Sequence, residues 1–112
     1  RRNIDNLMTN LRKLVEEVNC GMFVVSHLKR VDSKTGHEEG IQTSLSHLRG
    51  SHSLAQLSDA VIGFERDQQS ETENNIMTVR VLKNRFTGDT GVACDLIWNK
   101  DTGRLSEGNF DE

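Results

Sequence analysis

Two positively charged side chains, Lys83 and Arg85, stand two positions apart at the end of a predicted strand. On an extended strand, residues at this spacing point to the same side. Arginine offers a planar fork of N–H donors and lysine a compact charge, so the pair is suited to a phosphate group. The alternative is two solvated cations on an exposed strand, which is what charged strand residues usually are. We therefore hypothesise that the pair binds a phosphate.

Two further polar side chains stand at predicted element ends. His27 follows the apolar run 22–25, whose composition predicts a strand buried on both faces. Ligands of open α/β sheets bind beyond such strand ends, where a histidine can hydrogen-bond a phosphate or a water. Gln56 falls in a predicted short helix, 51–57, and its amide both donates and accepts hydrogen bonds. The alternatives are a histidine that caps the strand and a glutamine that faces solvent.

Composition excludes several classes of protein. The two cysteines, Cys20 and Cys94, lie far apart in a chain of 112 residues, so a disulfide scaffold and a four-cysteine zinc module are excluded and a reducing compartment is favoured. The four histidines lack metal-ligand spacing. The net charge is −3, whereas a free-standing nucleic-acid binder is usually basic, so any nucleic-acid contact requires a local basic strip.

The elements that position these residues alternate between helical and strand patterns. Apolar residues at three- and four-residue steps predict an amphipathic helix over residues 1–18, ended by Gly21 in the left-handed conformation. Branched or alternating apolar runs predict further strands at 60–64 (buried), 77–83, 92–98 and 104–105, the last of them in a hairpin or meander. Polar stretches at 29–42 and 66–75 predict loops. A helix that feeds a buried strand is half of an α/β unit.

Four segments together resemble one family: 24–29, 37–40, 48–59 and 83–91. They are similar to the helicase domain of phage-type replicative primase-helicases, the hexameric RecA-like group that includes DnaB and the mitochondrial helicase Twinkle. The resemblance covers nearly the whole chain, and its most specific part is Arg-Phe-Thr-Gly-Asp-Thr-Gly at 85–91. It implies an α/β fold: the C-terminal half of a RecA-like core, with a mainly parallel sheet flanked by helices and an antiparallel hairpin at the end.

The resemblance implies a catalytic role for four residues. His27 is similar to the sensor histidine near the γ-phosphate, and Gln56 to the glutamine that links the nucleotide to the DNA-facing loop. Arg85 resembles the arginine finger given to the neighbouring subunit's nucleotide, with Lys83 as its companion. An arginine delivered in trans stabilises charge on the transferring phosphoryl group and makes hydrolysis depend on assembly.

Binding roles are implied in the same way. Arg66 and Trp98 resemble the pair that packs the nucleotide base, with Trp98 in place of another aromatic residue, and a flat cation and a ring can sandwich a base. The loop 29–39 resembles the central-channel loop that tracks DNA phosphates. The implied DNA-binding residues are Lys29, Arg30, Lys34, Arg49 and Gly50. His47 and His52 depart from the family, which tends to have an acidic residue and a glycine there.

Two parts of the family's motor are missing from the sequence. No Gly-x-x-x-x-Gly-Lys-Ser/Thr loop occurs, and no apolar strand ending in aspartate precedes the first helix. We therefore expect residues 1–112 to be a partial RecA-like domain that is inactive alone. The complete protein is expected to use ATP or dTTP, with Mg²⁺ ligands outside this chain. The expected partners are single-stranded DNA, copies of itself in a hexameric ring, and a primase and polymerase, but no membrane.

Two other functions fit the same residues. A non-catalytic RecA-like module would bind DNA or a partner without hydrolysis and would natively lack the phosphate loop. A recombinase or loader paralogue would keep the fold without unwinding DNA. The expected location is the cytoplasm of a bacterial or phage-infected cell, with the mitochondrion as the alternative. Extending the reading frame upstream of Arg1 separates the motor from the non-catalytic module.

Overall fold

The structure, a computed structural model, describes residues 2–28, 42–48 and 52–107. Its elements are helix α1 (Arg2–Val18), a 3-10 turn (Leu45–His47), helix α2 (Ser53–Leu57) and strands β1 (Ala60–Arg66), β2 (Ile76–Asn84), β3 (Gly91–Asn99) and β4 (Arg104–Glu107). Both predicted helices and the four predicted strands from residue 60 onward are present.

Helix α1 is terminated by an asparagine, Asn19. Asn19 adopts a left-handed backbone with φ 59°, and the carbonyl of Val15 accepts hydrogen bonds from the backbone N–H groups of Asn19 (2.9 Å) and Cys20 (3.3 Å). Asparagine is one of the few residues besides glycine that tolerates this conformation. The prediction that Gly21 ends the helix is therefore wrong, because Asn19 reaches the left-handed conformation first.

The described strands form one antiparallel sheet in the order β1-β2-β3-β4. The connections 67–75, 85–90 and 100–103 are shorter than the dozen or more residues that a parallel crossover needs. The expectation of a mainly parallel sheet is wrong for this part of the chain. The terminal antiparallel hairpin is confirmed, with Asn99 paired to Arg104 across the last turn.

The apolar run 22–25 is not a strand in the structure. Phe23 is 100% exposed and Val25 93% exposed, and the nearest pairing is an isolated bridge between Leu28 and Leu48. The predicted burial on both faces is wrong, because a strand of that kind needs structure packed on each side and the described residues supply it on one side only.

On one side of the extended segment 22–28 lies an open apolar cavity of about 280 Å³. Its lining combines alternate residues of the extended segment (Val24, Ser26 and Leu28), Met8 of α1, and residues 60–64 of β1. The prediction that β1 is buried is also wrong, since Ile62 and Phe64 are half-exposed. Within the described ranges, Met8 is the only large hydrophobic side chain that is buried. The described residues thus leave most of these apolar faces uncovered.

Candidate functional site

Lys83 and Arg85 point to the same side, as their spacing predicts, and both reach the end of helix α2. Lys83 Nζ donates hydrogen bonds to the carbonyls of Ala55 (2.6 Å) and Gln56 (3.2 Å). Arg85 Nη2 donates to the same Gln56 carbonyl at 3.2 Å. The last carbonyls of a helix have no partner within it, so the two cations also satisfy these orphan acceptors. The structure therefore brings three predicted site residues together, with Gln56 taking part through its backbone.

Asp59 joins this group, although its local sequence pattern does not predict such a role. Its Oδ1 accepts a hydrogen bond from Arg85 Nη1 at 2.7 Å, and its Oδ2 accepts one from Arg12 Nη1 at 3.0 Å. The backbone N–H of Arg85 donates to the Asp59 carbonyl at 2.9 Å. We call Arg12, Gln56, Asp59, Lys83 and Arg85 the cation cluster. It carries three positive charges and one carboxylate, and a second carboxylate, that of Glu16, lies 3.1 Å from Arg12 Nε.

Strand register explains why Asp59 meets Arg85. Ala60 pairs with Asn84 at the end of the β1–β2 ladder, so the next residues outward, Asp59 and Arg85, lie opposite each other. Directly opposed residues of an antiparallel pair have close side chains, and opposite charges there are favourable. Finding Asp59 from the sequence would have required the strand register in advance.

Charge in the cluster changes the acidity of its members. Hydrogen bonding from Arg12 is the main reason that the pKa of Asp59 lies below its ordinary value; the positive charges of Arg85 and Lys83 act in the same direction. The hydrogen bond to Asp59 likewise raises the pKa of Arg12. The carboxylate is therefore ionised at neutral pH and fully available to both arginines.

His27 lies apart from the cation cluster. Alternate residues of the extended segment line the cavity beside β1, which leaves His27 on the outer face with Phe23 and Val25, and it is exposed. Within the described residues, its backbone carbonyl accepts a hydrogen bond from Ser26 Oγ at 3.3 Å, while no bond of its imidazole to the cluster occurs. A role for His27 near a phosphate remains a prediction.

Arg66 and Trp98 meet at the other end of the sheet. The guanidinium carbon of Arg66 lies 5.1 Å from the centroid of the Trp98 ring, and Arg66 Nε donates to the Asn74 carbonyl at 2.5 Å. A nucleotide base does not fit into this gap between the two side chains, so the pair does not have the open sandwich geometry that the resemblance implies. A base would have to stack on the other face of Trp98 or displace Arg66.

A third polar group was also missed, and it is buried. Glu65 is 7% exposed and Thr43 is 1% exposed. The backbone N–H and the hydroxyl of Thr43 both donate to Glu65 Oε2 at 2.7 Å, and Arg80 Nε donates to the same oxygen at 2.8 Å. Burial alone raises the pKa of Glu65, but the hydrogen bonds from Arg80 and Thr43 outweigh it, so the pKa lies below its ordinary value. This group ties the segment 42–48 to the sheet.

The proposed DNA-binding residues, Lys29, Arg30, Lys34, Arg49 and Gly50, lie outside the described residues. In the described part of the chain, no three His, Cys, Asp or Glu side chains gather as a metal would require. None of the described helices is both long and apolar enough to pass through a lipid bilayer.

Comparison with known proteins places these features in one family. Residues 1–107 match the family model described as the DnaB-like helicase C terminal domain. The chain is also 43% identical over 110 residues to a DNA helicase/primase of Enterobacteria phage T3; the match covers 98% of this chain. It covers 19% of the phage protein, so the chain spans about a fifth of the length of this relative.

Proposed function

Because the chain belongs to the DnaB-like helicase C-terminal domain family, we propose that it is part of the motor of a replicative DNA helicase. The complete protein, on this proposal, couples hydrolysis of ATP or dTTP to movement along single-stranded DNA and to unwinding of the duplex. The 43% identity to a phage helicase/primase supports this assignment and a setting in phage replication. The finer fold, the C-terminal half of a RecA-like core, belongs to the same proposal.

The observation that carries the proposal is the separation of two nucleotide-suited groups by one strand. The cation cluster lies where β1 begins, and Arg66 lies where it ends. The seven residues of β1 make six steps of about 3.3 Å, which put roughly 20 Å between its two ends. Arg85 and the Arg66–Trp98 pair are therefore too far apart to touch the same group of one nucleotide. The arrangement suits a ring in which Arg85 serves the neighbouring subunit's nucleotide while Arg66 and Trp98 serve their own.

The uncovered apolar surface supports a larger domain. Apolar residues line the open cavity beside β1, and the side chains of Phe23 and Val25 are exposed; exposed apolar surface of this kind marks places where other structure packs. A sheet face of this kind is stabilised when further strands or helices cover it. The segments of the complete protein that hold the phosphate-cradling loop are the occupants we propose, and magnesium would be ligated there.

Each candidate site residue has a defined task in this proposal. Arg85, with Lys83 beside it, supplies positive charge to the phosphate that is transferred. Trp98 stacks on the base through the ring face that Arg66 leaves open, or Arg66 moves aside to admit the base. Gln56 connects the nucleotide side to the DNA side. Lys29, Arg30, Lys34, Arg49 and Gly50 are proposed to hold the DNA strand. Ring assembly follows from Arg85 acting across a subunit boundary. A primase and a polymerase are the further partners proposed.

The test is hydrolysis and unwinding by the complete protein. We expect nucleoside triphosphate hydrolysis that single-stranded DNA stimulates, strand separation of a forked duplex, and no magnesium-dependent hydrolysis from residues 1–112 alone. The chain alone lacks the groups that hold the β- and γ-phosphates, which supply most of the electrostatic stabilisation. DNA binding by the complete protein without any hydrolysis would instead support a non-catalytic module, and hydrolysis without unwinding a recombinase or loader.

A further inference from the structure

Arg85 is held in place from its backbone outward. Its N–H donates to the Asp59 carbonyl at 2.9 Å, and the turn that follows is fixed by Asn84, whose side-chain oxygen accepts from the N–H groups of Phe86 (3.1 Å) and Thr87 (3.4 Å). With the backbone set on both sides, the direction of the guanidinium depends on its own contacts. In the described residues these are Asp59 Oδ1 and the Gln56 carbonyl.

Asp59 is itself held by a second arginine. Arg12 of α1 donates to Oδ2 at 3.0 Å and, through Nε, to Glu16 at 3.1 Å. Each oxygen of the Asp59 carboxylate is thus engaged by a different arginine, which fixes the orientation of the carboxylate. A chain of contacts runs from α1 through Arg12 and Asp59 to Arg85.

The charge balance leaves Arg85 able to bind an anion. Asp59 faces the guanidinium groups of Arg12 and Arg85 and the nearby ammonium group of Lys83, and Glu16 also pairs with Arg12. Two carboxylates thus stand against three cations, and one positive charge is left in excess. Within the described residues, two of the five N–H donors of Arg85 are engaged. Its side chain is 43% exposed, which keeps the remaining donors accessible from outside.

We propose that Asp59 is a positioning residue for Arg85: it aims the guanidinium at the subunit surface toward the neighbouring subunit's phosphate, and Arg12 fixes the carboxylate that does so. The inference rests on the proposed function, because it gives Asp59 a purpose only if Arg85 acts on a nucleotide. Asp59 itself touches no reacting atom.

The test compares three single variants of the complete protein. Asp59→Asn keeps the shape of the side chain and removes its charge; Arg12→Gln removes the contact behind it; Glu16→Gln removes the other partner of Arg12 and is the matched control. We expect the kcat of hydrolysis to fall about tenfold in Asp59→Asn, since misplacement of a catalytic group by 1 Å can cost about a hundredfold. The fall should be smaller in Arg12→Gln and absent in Glu16→Gln, with the nucleotide KM unchanged in all three. Asp59→Glu, which restores the charge, should recover part of the loss.

A mixing experiment separates positioning from a general structural role. Asp59→Asn subunits assembled with subunits that lack the phosphate-loop lysine should regain hydrolysis, because the damage lies on the side of the interface that Arg85 serves. A kcat equal to that of the unaltered protein in Asp59→Asn, or no recovery on mixing, overturns the proposal. Failure of the proposed function is a separate result: in that case Arg85→Ala itself would leave hydrolysis unchanged.

Discussion

Two carboxylates at opposite ends of β1 each meet an arginine from the β2 side, and they differ in almost everything else. Glu65 is 7% exposed, and its partners Arg80 and Thr43 are themselves mostly or fully buried. Asp59 is 39% exposed and forms ion pairs with both Arg12 and Arg85. The Glu65 group balances one negative charge with one positive charge; the cation cluster leaves positive charge in excess.

The two ion pairs serve different purposes because they differ in exposure. Removing one partner of a buried ion pair is strongly destabilising, because the remaining charge is left without water or partner. An exposed pair contributes little to stability, because water screens it. We therefore assign the Glu65–Arg80 pair to stabilising the fold. The Asp59–Arg85 pair is assigned to orienting the Arg85 guanidinium. Substitutions in the first group should change stability, and those in the second should change rate.

The largest effect is expected from Arg85→Ala. Loss of an arginine finger lowers kcat by roughly 10³–10⁵ in related phosphoryl-transfer systems, and DNA-stimulated hydrolysis by the complete protein should fall accordingly while the nucleotide still binds. Arg104→Ala removes an exposed arginine from β4 and is the control. Steady-state kinetics with and without DNA decide the matter. A loss of nucleotide affinity as large as the loss of kcat would point to plain binding instead.

Glu65→Ala should be the most destabilising of these changes. It leaves Arg80 and Thr43 without their acceptor, and removing one partner of a buried pair costs about 3–5 kcal/mol. Hydrogen exchange should accelerate at the Thr43 amide, which donates to Glu65. Glu71→Ala, an exposed residue of the β1–β2 connection, is the matched control. Unchanged exchange at Thr43 would show that the buried group does not hold this segment.

Acidification should act on the same bond. The folded pKa of Glu65 lies below its unfolded value because Arg80 and Thr43 stabilise the ionised form despite burial. Its contribution to stability is therefore complete above the unfolded pKa, about 4.3, and is lost as the pH falls through that value toward the lower folded pKa. Hydrogen exchange measured across this window should show the protection of the Thr43 amide falling with pH. Protection that stays constant would contradict the assignment.

A smaller effect is expected at the Arg66–Trp98 pair. Trp98→Ala should raise the nucleotide KM about tenfold with little change in kcat, because stacking on a base is worth roughly 1–3 kcal/mol. Trp98→Phe keeps a ring and should recover most of the affinity, and Lys100→Ala, an exposed neighbour, is the control. An unchanged KM in Trp98→Ala would mean that the Arg66–Trp98 pair has only a structural role at this end of the sheet.

The smallest effect concerns the proposed DNA-binding side chains of Lys29 and Lys34. For a single strand, each lysine that neutralises a phosphate adds about 0.7 to the slope of log affinity against log salt. The double variant Lys29→Ala with Lys34→Ala should therefore bind all single strands more weakly and show a flatter salt dependence, while hydrolysis without DNA stays the same. Lys13→Ala with Lys100→Ala is the control. A salt slope equal to that of the unaltered protein would favour an ordinary solvated loop.

Local signals in the sequence predict much of the sheet and part of the site. Alternation predicts a strand over 77–83, close to the observed β2 (Ile76–Asn84). The two-residue spacing places Lys83 and Arg85 on one side, and both side chains donate to the Gln56 carbonyl. The 22–25 run is predicted wrongly because composition reports the need for burial and not what packs there. Asp59 and Glu65 could not be predicted in the same way. The partner of Asp59 is set by strand register, and Glu65 contacts Thr43, 22 residues earlier in the chain. Local sequence patterns report neither kind of contact.

Arg85 is proposed to act across a subunit boundary, and hydrolysis by mixed rings of the complete protein shows whether it does. Arg85→Ala subunits are combined with subunits that lack the phosphate-loop lysine, and DNA-stimulated hydrolysis is measured as the ratio is varied. Each parent should be inactive, and the mixture should regain activity at interfaces where an intact phosphate loop meets an intact Arg85. Mixtures that stay inactive at every ratio, although gel filtration shows that the two variants assemble together, would contradict the claim.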